Sequence, residues 1–162
     1  MQIRQLPYDH PDAVKLDAEV QLEYAARYSS EGDATVLHPR MFDPPGGVYF
    51  LAYDSDGASE RPIASGGWRS QETNEEGYSD GDAEIKRMYV TVEARGLGLA
   101  RRILARLEES ARAAGRTRMV LETGTKQPEA IALYRSSGYT DCSKFGHYRN
   151  DPLSVCLAKP LG

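Results

Sequence analysis

Glu84-Ile-Lys-Arg-Met-Tyr-Val-Thr-Val-Glu-Ala-Arg95-Gly-Leu-Gly-Leu-Ala100 is the stretch that decides the fold. Residues 85–92 are rich in β-branched and aromatic side chains and read as a strand. From Ala100 the apolar residues fall at Ile103, Leu104, Leu107, Ala111 and Ala114, which is the period of a helix. The period changes at Gly96 and Gly98, where small residues let the backbone approach a ligand and the first amides of a helix point outward. Glycines there either simply turn the chain or build an anion site. A dinucleotide loop wants Gly-x-Gly-x-x-Gly, but Arg101 stands at the third glycine position, and no Gly-Lys-Ser/Thr of a P-loop is present. Both nucleotide-binding readings therefore lose ground.

Outward from this turn the punctuation is regular. Residues 2–6 read as an edge strand, in a start that lacks the apolar core of a signal peptide. Pro7 and Pro11 mark a turn, and residues 12–28 form a helix carrying Val14, Val20, Leu22, Tyr24 and Ala25. Ser29-Ser-Glu-Gly-Asp33 breaks it, and the prolines and glycines of residues 39–47 keep the next segment irregular. Residues 48–53 make a strand, Asp54-Ser-Asp-Gly57 a turn, and residues 63–68 the start of an antiparallel partner. Residues 71–82 hold Glu72, Glu75, Glu76, Asp80 and Asp82 with no base, either a solvated hairpin loop or an attractor of cationic amines. The long helix spans residues 97–114, with Gly115 at its C′ position and Glu108 and Arg112 spaced to pair. Residues 119–123 form a buried strand, Pro128 opens another helix that Gly138 ends, and residues 155–158 close the chain as a strand. Strand and helix alternate here, which favours parallel pairing.

At 162 residues the chain suits one domain, residues 1–162, with enough apolar content (40%) to bury a core. No apolar run approaches the length of a membrane span. A net charge of −4 without any Lys/Arg block argues against a nucleic-acid surface. Cys142 and Cys156 lack metal-ligand spacing and read as packing residues in a reducing cytoplasm, so no metal is expected. His10, His38 and His147 stand outside any Ser/His/Asp or Cys/His pattern.

The turn resembles the signature of the GCN5-related N-acetyltransferase (GNAT) family, Gln/Arg-x-x-Gly-x-Gly/Ala, at Arg95, Gly98 and Ala100. Residues 84–90 resemble that family's fourth strand. Leu121-Glu-Thr-Gly124 and Ala130-Ile-Ala-Leu-Tyr134-Arg-Ser-Ser-Gly138-Tyr139 resemble its fifth strand and the following helix. The resemblance covers the second half of the chain. It implies a mixed α/β fold with a central sheet and helices on both faces, and acetyl-CoA-dependent transfer to a primary amine of a small molecule or peptide by direct attack. A non-catalytic acyl-CoA-binding sensor is the alternative, and a homodimer is compatible with either.

By the same resemblance, the amides of Gly96, Leu97, Gly98, Leu99, Ala100 and Arg101 would receive the coenzyme A pyrophosphate, with the Arg95 and Arg101 side chains adding charge. Met88, Tyr89 and Val90 would hydrogen-bond the pantetheine arm through their backbone. Where relatives often carry an asparagine, this chain has Lys126-Gln127-Pro128, so Gln127 would have to substitute. Amines are largely protonated at neutral pH, and attack needs a base or a water path. Glu84, eleven residues before Arg95, has the spacing of the general base in the family's histone acetyltransferases. It is equally a polar residue at a strand start, with Glu122 in reserve. Tyr134 occupies the place of the family's acid or is a packing aromatic. Trp68, Tyr24 and Tyr28 either line the acceptor pocket or belong to the core.

Overall fold

Residues 48–53 alternate between two faces, and that alternation builds both halves of the core. In the computed structural model, which describes residues 1–30, 32–56 and 59–162, they lie on a strand (β2, Gly47–Asp56) beside an edge strand (β1, Gln2–Gln5). Val48, Phe50 and Ala52 point to one face, and Tyr49, Leu51 and Tyr53 to the other. A long strand (β3, Ser59–Gln71) returns antiparallel, followed by the strand read first from the sequence (β4, Asp82–Val90). Three more strands, β5 (Arg118–Gly124), β6 (Thr140–Asp141) and β7 (Ser154–Pro160), complete a mixed sheet of order β1-β2-β3-β4-β5-β7-β6.

Helices cover both faces. The first (α1, Pro11–Tyr28) buries Ala13, Leu16 and Val20 against Tyr49, Leu51 and Tyr89. Its apolar face therefore runs through positions 13, 16 and 20, while the expected Val14 and Leu22 are exposed at 55% and 73%. The second (α2, Leu99–Ala113) lays Leu99, Ile103, Leu104, Leu107 and Ala111 on the opposite face, and the Trp68 indole N–H donates to Ser110 Oγ at 2.6 Å. It starts two residues later than expected and leaves Ala114 exposed as its C-cap. The third (α3, Pro128–Ser136) has Pro128 at its head and contributes Tyr134 to the α2 side of the core.

Two local expectations are corrected, and the open readings of the acidic loop and of Trp68 are narrowed. Strand β2 continues to Asp56, so Asp54 and Ser55 are paired with β3 and are not turn residues; Gly57, like Glu31 in the helix-breaking segment, lies outside the described residues. Glu108 does not pair with Arg112. It accepts from Tyr139 Oη at 2.8 Å and Lys159 Nζ at 2.9 Å, while Arg112 donates to the Leu161 carbonyl. In the acidic loop, Glu72 pairs with Arg116, Glu76 with Arg149 and the wholly buried Asp82 with Arg118, so arginines from later in the chain tie it down. Trp68 belongs to the α2-side core. Leu107 is fully buried under α2; Leu107→Ala is expected to lower unfolding free energy by about 2–5 kcal/mol in urea titration, and a loss below about 1 kcal/mol would mean that this face of α2 carries little of the core.

Candidate functional site

The chain leaves β4 at Val90, makes a short 3-10 turn (Val92–Ala94) and enters α2 through Gly98. Gly96 and Gly98 hold φ angles of 85° and 77°, the left-handed region that a side chain strains. A Cβ on either would meet nothing within 4 Å, so the loop surface is open. The six amides of residues 96–101 find no backbone or side-chain acceptor among the described residues; the first helix bond here runs from Arg102 N–H to the Gly98 carbonyl. Leu97 is 70% exposed and Leu99 is buried. Arg95 folds back, its Nε donating to the Val90 carbonyl at 3.0 Å and its Nη2 to Glu23 at 2.9 Å. Arg101 reaches across to α3, donating to Ser136 and Ser137 hydroxyls.

Beside this loop the sheet opens. Strands β4 and β5 are parallel and paired only from Asp82 to Glu84 and from Arg118 to Val120; beyond that, β5 stays with β7 and β4 with β3. Thr91 N–H donates to the Ile63 carbonyl on β3. Since backbone groups alternate along a strand, Val90 turns its N–H and C=O the other way, toward the gap, where Arg95 Nε meets that carbonyl. A cavity of about 480 Å³ fills the gap, with Met88, Leu121, Gln127 and Tyr134 among its walls. Tyr89 faces α1 and packs among its apolar residues, and Val90 is half-buried toward α2.

Tyr134 is buried, packs edge-on against Tyr139 with ring centroids 5.7 Å apart, and its hydroxyl makes no hydrogen bond among the described residues. Burial raises its pKa well above the usual phenol value, so it stays protonated. Gln127 donates to the Tyr28 hydroxyl at 3.3 Å and stands at the head of α3. Tyr28 in turn sits against Gly124, where a Cβ would collide with its hydroxyl. Tyr24 and Tyr28 line the cavity.

The two candidate bases part company. Glu84 is 3% exposed and does not line the cavity; Arg69 Nε, Gln71 Nε2 and Tyr78 Oη all donate to it, at 2.8, 3.1 and 2.9 Å. A carboxylate with three donors that does not line the cavity ties strands together, which suits the second of the two readings left open for Glu84, a polar residue at a strand start. Glu122 does line the cavity and accepts one hydrogen bond from a side chain, from Ser154 Oγ at 2.9 Å. Burial pushes its pKa up to about 7, with Ser154 and Lys86 opposing and Asp33 and Glu84 adding to the rise.

Sequence reading missed the charges on the opposite wall. Between Ser65 and Gly67 on β3 the partner strand runs from Tyr89 to Lys86, one residue more, so β4 carries a bulge, and Arg87 takes a φ of 59°. Consecutive strand residues normally face opposite ways; the bulge lets Lys86 and Arg87 both reach Oδ2 of Asp33, Lys86 at 2.9 Å. Arg87 Nε also donates to Asp17 at 2.7 Å. Burial would raise the Asp33 pKa, but Lys86 and Arg87 hold it well below the carboxylate range. The available signal was two adjacent cations, Lys86 and Arg87, within a strand.

The sequence profile of the Acetyltransferase (GNAT) family matches residues 13–139. The IAA acetyltransferase of Azospirillum brasilense is 51% identical over 81 residues, which is 50% of this chain and 53% of that protein. The uncharacterized N-acetyltransferase YjgM of Escherichia coli (strain K12) is 30% identical over 137 residues, 81% of this chain and 76% of its own length. The chain spans about half the length (53%) of the first curated relatives it matches. A solved structure from Klebsiella pneumoniae, assigned as an acyl-CoA N-acyltransferase, superposes with a TM-score of 0.74 at 28% identity, covering 99% of this chain and 97% of that one. An aminoglycoside 6'-N-acetyltransferase complexed with coenzyme A gives 0.70 at 15% identity, covering 100% and 98%, a likeness of fold alone.

The raised pKa of Glu122 has a consequence for stability. The folded protein holds this proton more tightly than the unfolded chain, so the contribution is complete below pH 4.5 and is lost as pH rises toward about 7. The loss is on the order of 3 kcal/mol. Urea unfolding at pH 4.5 and pH 8 should therefore show a drop that Glu122→Gln removes; equal drops in both proteins would place the Glu122 carboxyl at its ordinary pKa.

Proposed function

The chain belongs to the acetyltransferase (GNAT) family, and from that premise we propose that it moves an acetyl group from acetyl-CoA to a primary amine of a small molecule or peptide by direct attack. One observation carries the reading: six amides at the head of α2 that have no acceptor among the described residues stand beside the gap between β4 and β5, and that gap opens into a cavity lined by Glu122 and Tyr134. Open space at Gly96 and Gly98 fits the approach of a pyrophosphate, and the gap-facing backbone of Val90 fits the amide groups of a pantetheine arm.

Acetyl-CoA supplies an activated acyl carbon and a thiolate leaving group. The amides of residues 96–101 would hold its phosphates, helped by the helix N-terminus and by Arg101; Arg95, already engaged by Glu23, contributes less charge than its place in the motif implies. Met88, Val90 and Gln127 would border the arm, and a free N–H of β4 would polarise the thioester carbonyl. Glu122, poised near neutrality, takes the proton of the incoming ammonium, because a base with a pKa near the working pH is both available and strong enough. Tyr134, neutral and without a hydrogen-bond partner among the described residues, keeps a proton to donate to the departing sulfur. Both free cysteines have raised pKa values, Cys142 at about 11, which supports direct attack over an acyl-cysteine route.

The test is release of free thiol from acetyl-CoA against amino acids, polyamines, aminoglycosides and short peptides. Turnover of at least one amine is expected, with a rate that rises across neutral pH; Glu122→Gln should flatten that rise and Glu84→Gln should leave it in place. The reverse pattern would return the base role to Glu84, and no turnover despite tight acetyl-CoA binding would favour the sensor. Gly98→Val is expected to weaken acetyl-CoA binding by calorimetry about tenfold or more, roughly 1.4 kcal/mol. Unchanged affinity in the folded variant would remove the phosphate loop from the proposal.

A further inference from the structure

Lys86 is a cation in the cavity wall with most of its hydrogen-bonding capacity unused. Its side chain is 9% exposed, and among the described residues one of its three N–H groups is engaged, by Asp33 Oδ2 at 2.9 Å. That same oxygen also serves Arg87 Nη1, so one carboxylate faces two cations. Asp17, the second partner of Arg87, does not line the cavity. Asp33 cannot swing freely to cover more of Lys86, because its backbone N–H and carbonyl are both clamped by the Gln21 side chain and its Oδ1 accepts from Thr35 N–H. Buried donors without acceptors are costly, and water or a ligand must meet them.

Lys86 and Glu122 line the same cavity. Of the other carboxylates on the wall, Asp151 already accepts the Leu153 N–H. An acceptor with its amine at Glu122 would share this cavity with Lys86. A polycation would set its extra charge against Lys86 and Arg87, whereas an anion beside the amine would meet the unused N–H groups. Tyr24, Tyr28 and Tyr148 add aromatic surface to the same cavity.

We propose that the Lys86 ammonium anchors a carboxylate of the acceptor, which makes the acceptor an amine bearing a nearby carboxylate, as an α-amino acid does. The inference rests on the acetyl-transfer reading of the cavity. Its test compares matched pairs, each α-amino acid against the amine that lacks only its carboxylate: alanine with ethylamine, leucine with isoamylamine, phenylalanine with phenethylamine. In at least one pair the amino acid should be favoured about tenfold or more in kcat/KM, equivalent to roughly 1.4 kcal/mol. Lys86→Met should collapse that ratio and Lys86→Arg should restore much of it, with acetyl-CoA affinity kept in both as the control for folding. Wild-type protein that uses the plain amines as well as the amino acids would overturn the proposal.

Calorimetry with the N-acetylated products, without acetyl-CoA, separates the two readings. Lys86-dependent binding of N-acetyl amino acids without turnover would sink the catalytic reading and leave the carboxylate subsite standing. Turnover of amines with no preference for the carboxylate would do the opposite.

Discussion

Two parallel strands that stay together for only three residue pairs are the constraint on which the rest of this molecule depends. Their closed end is heavily tied: Asp82, wholly buried, is paired with Arg118 at 2.8 Å, Thr117 N–H donates to the Gly81 carbonyl, and Glu84 draws in Arg69, Gln71 and Tyr78. Past that point β5 keeps only its other edge, with four pairs to β7 from Leu121 to Gly124, and β4 keeps only β3. Parting them leaves unpaired backbone on β4 facing a cavity. In a sheet interior such groups would cost free energy, which is why a gap of this kind calls for something that can hydrogen-bond along it.

The two carboxylates on the flanking strands show how environment divides roles. Glu84 is surrounded by three donors and kept from the cavity, and it behaves as a tie between β3, β4 and the loop of residues 72–81. Glu122 has one hydroxyl and a lysine at a distance, so burial dominates and its proton is held to about pH 7. Removing one partner from the first group would leave a buried charge uncompensated; the second group is poised to change its charge in ordinary conditions.

What could be read from the chain follows from this physics. The strand-to-helix change at Gly96 and Gly98 was legible because both periods are local, and the order of strands and helices followed from the same signals. The choice between the two readings of Glu84 was not legible, because spacing from Arg95 counts residues, whereas the surroundings of a carboxylate are set by partners on β3 and in the 72–81 loop. The Glu108–Arg112 pair failed for the same reason, since Tyr139 and Lys159 arrive from the far end of the chain. The bulge was invisible: an arginine at φ 59° carries none of the marks of a glycine, yet it alone brings Lys86 and Arg87 to one carboxylate.

The acceptor-free amides of residues 96–101 differ in kind from the wall opposite them. An amide has no ionisable proton and is present whatever side chain it carries, so a grip made of six of them neither titrates nor depends on most substitutions in its own segment. The wall with Glu122, Lys86 and Asp33 is made of side chains, and both its charge and its identity can change by single replacements. One half of the site is thus written in the backbone and the other in the alphabet. On the proposed function, such a fold could exchange its acceptor while a grip on phosphate stayed as it was.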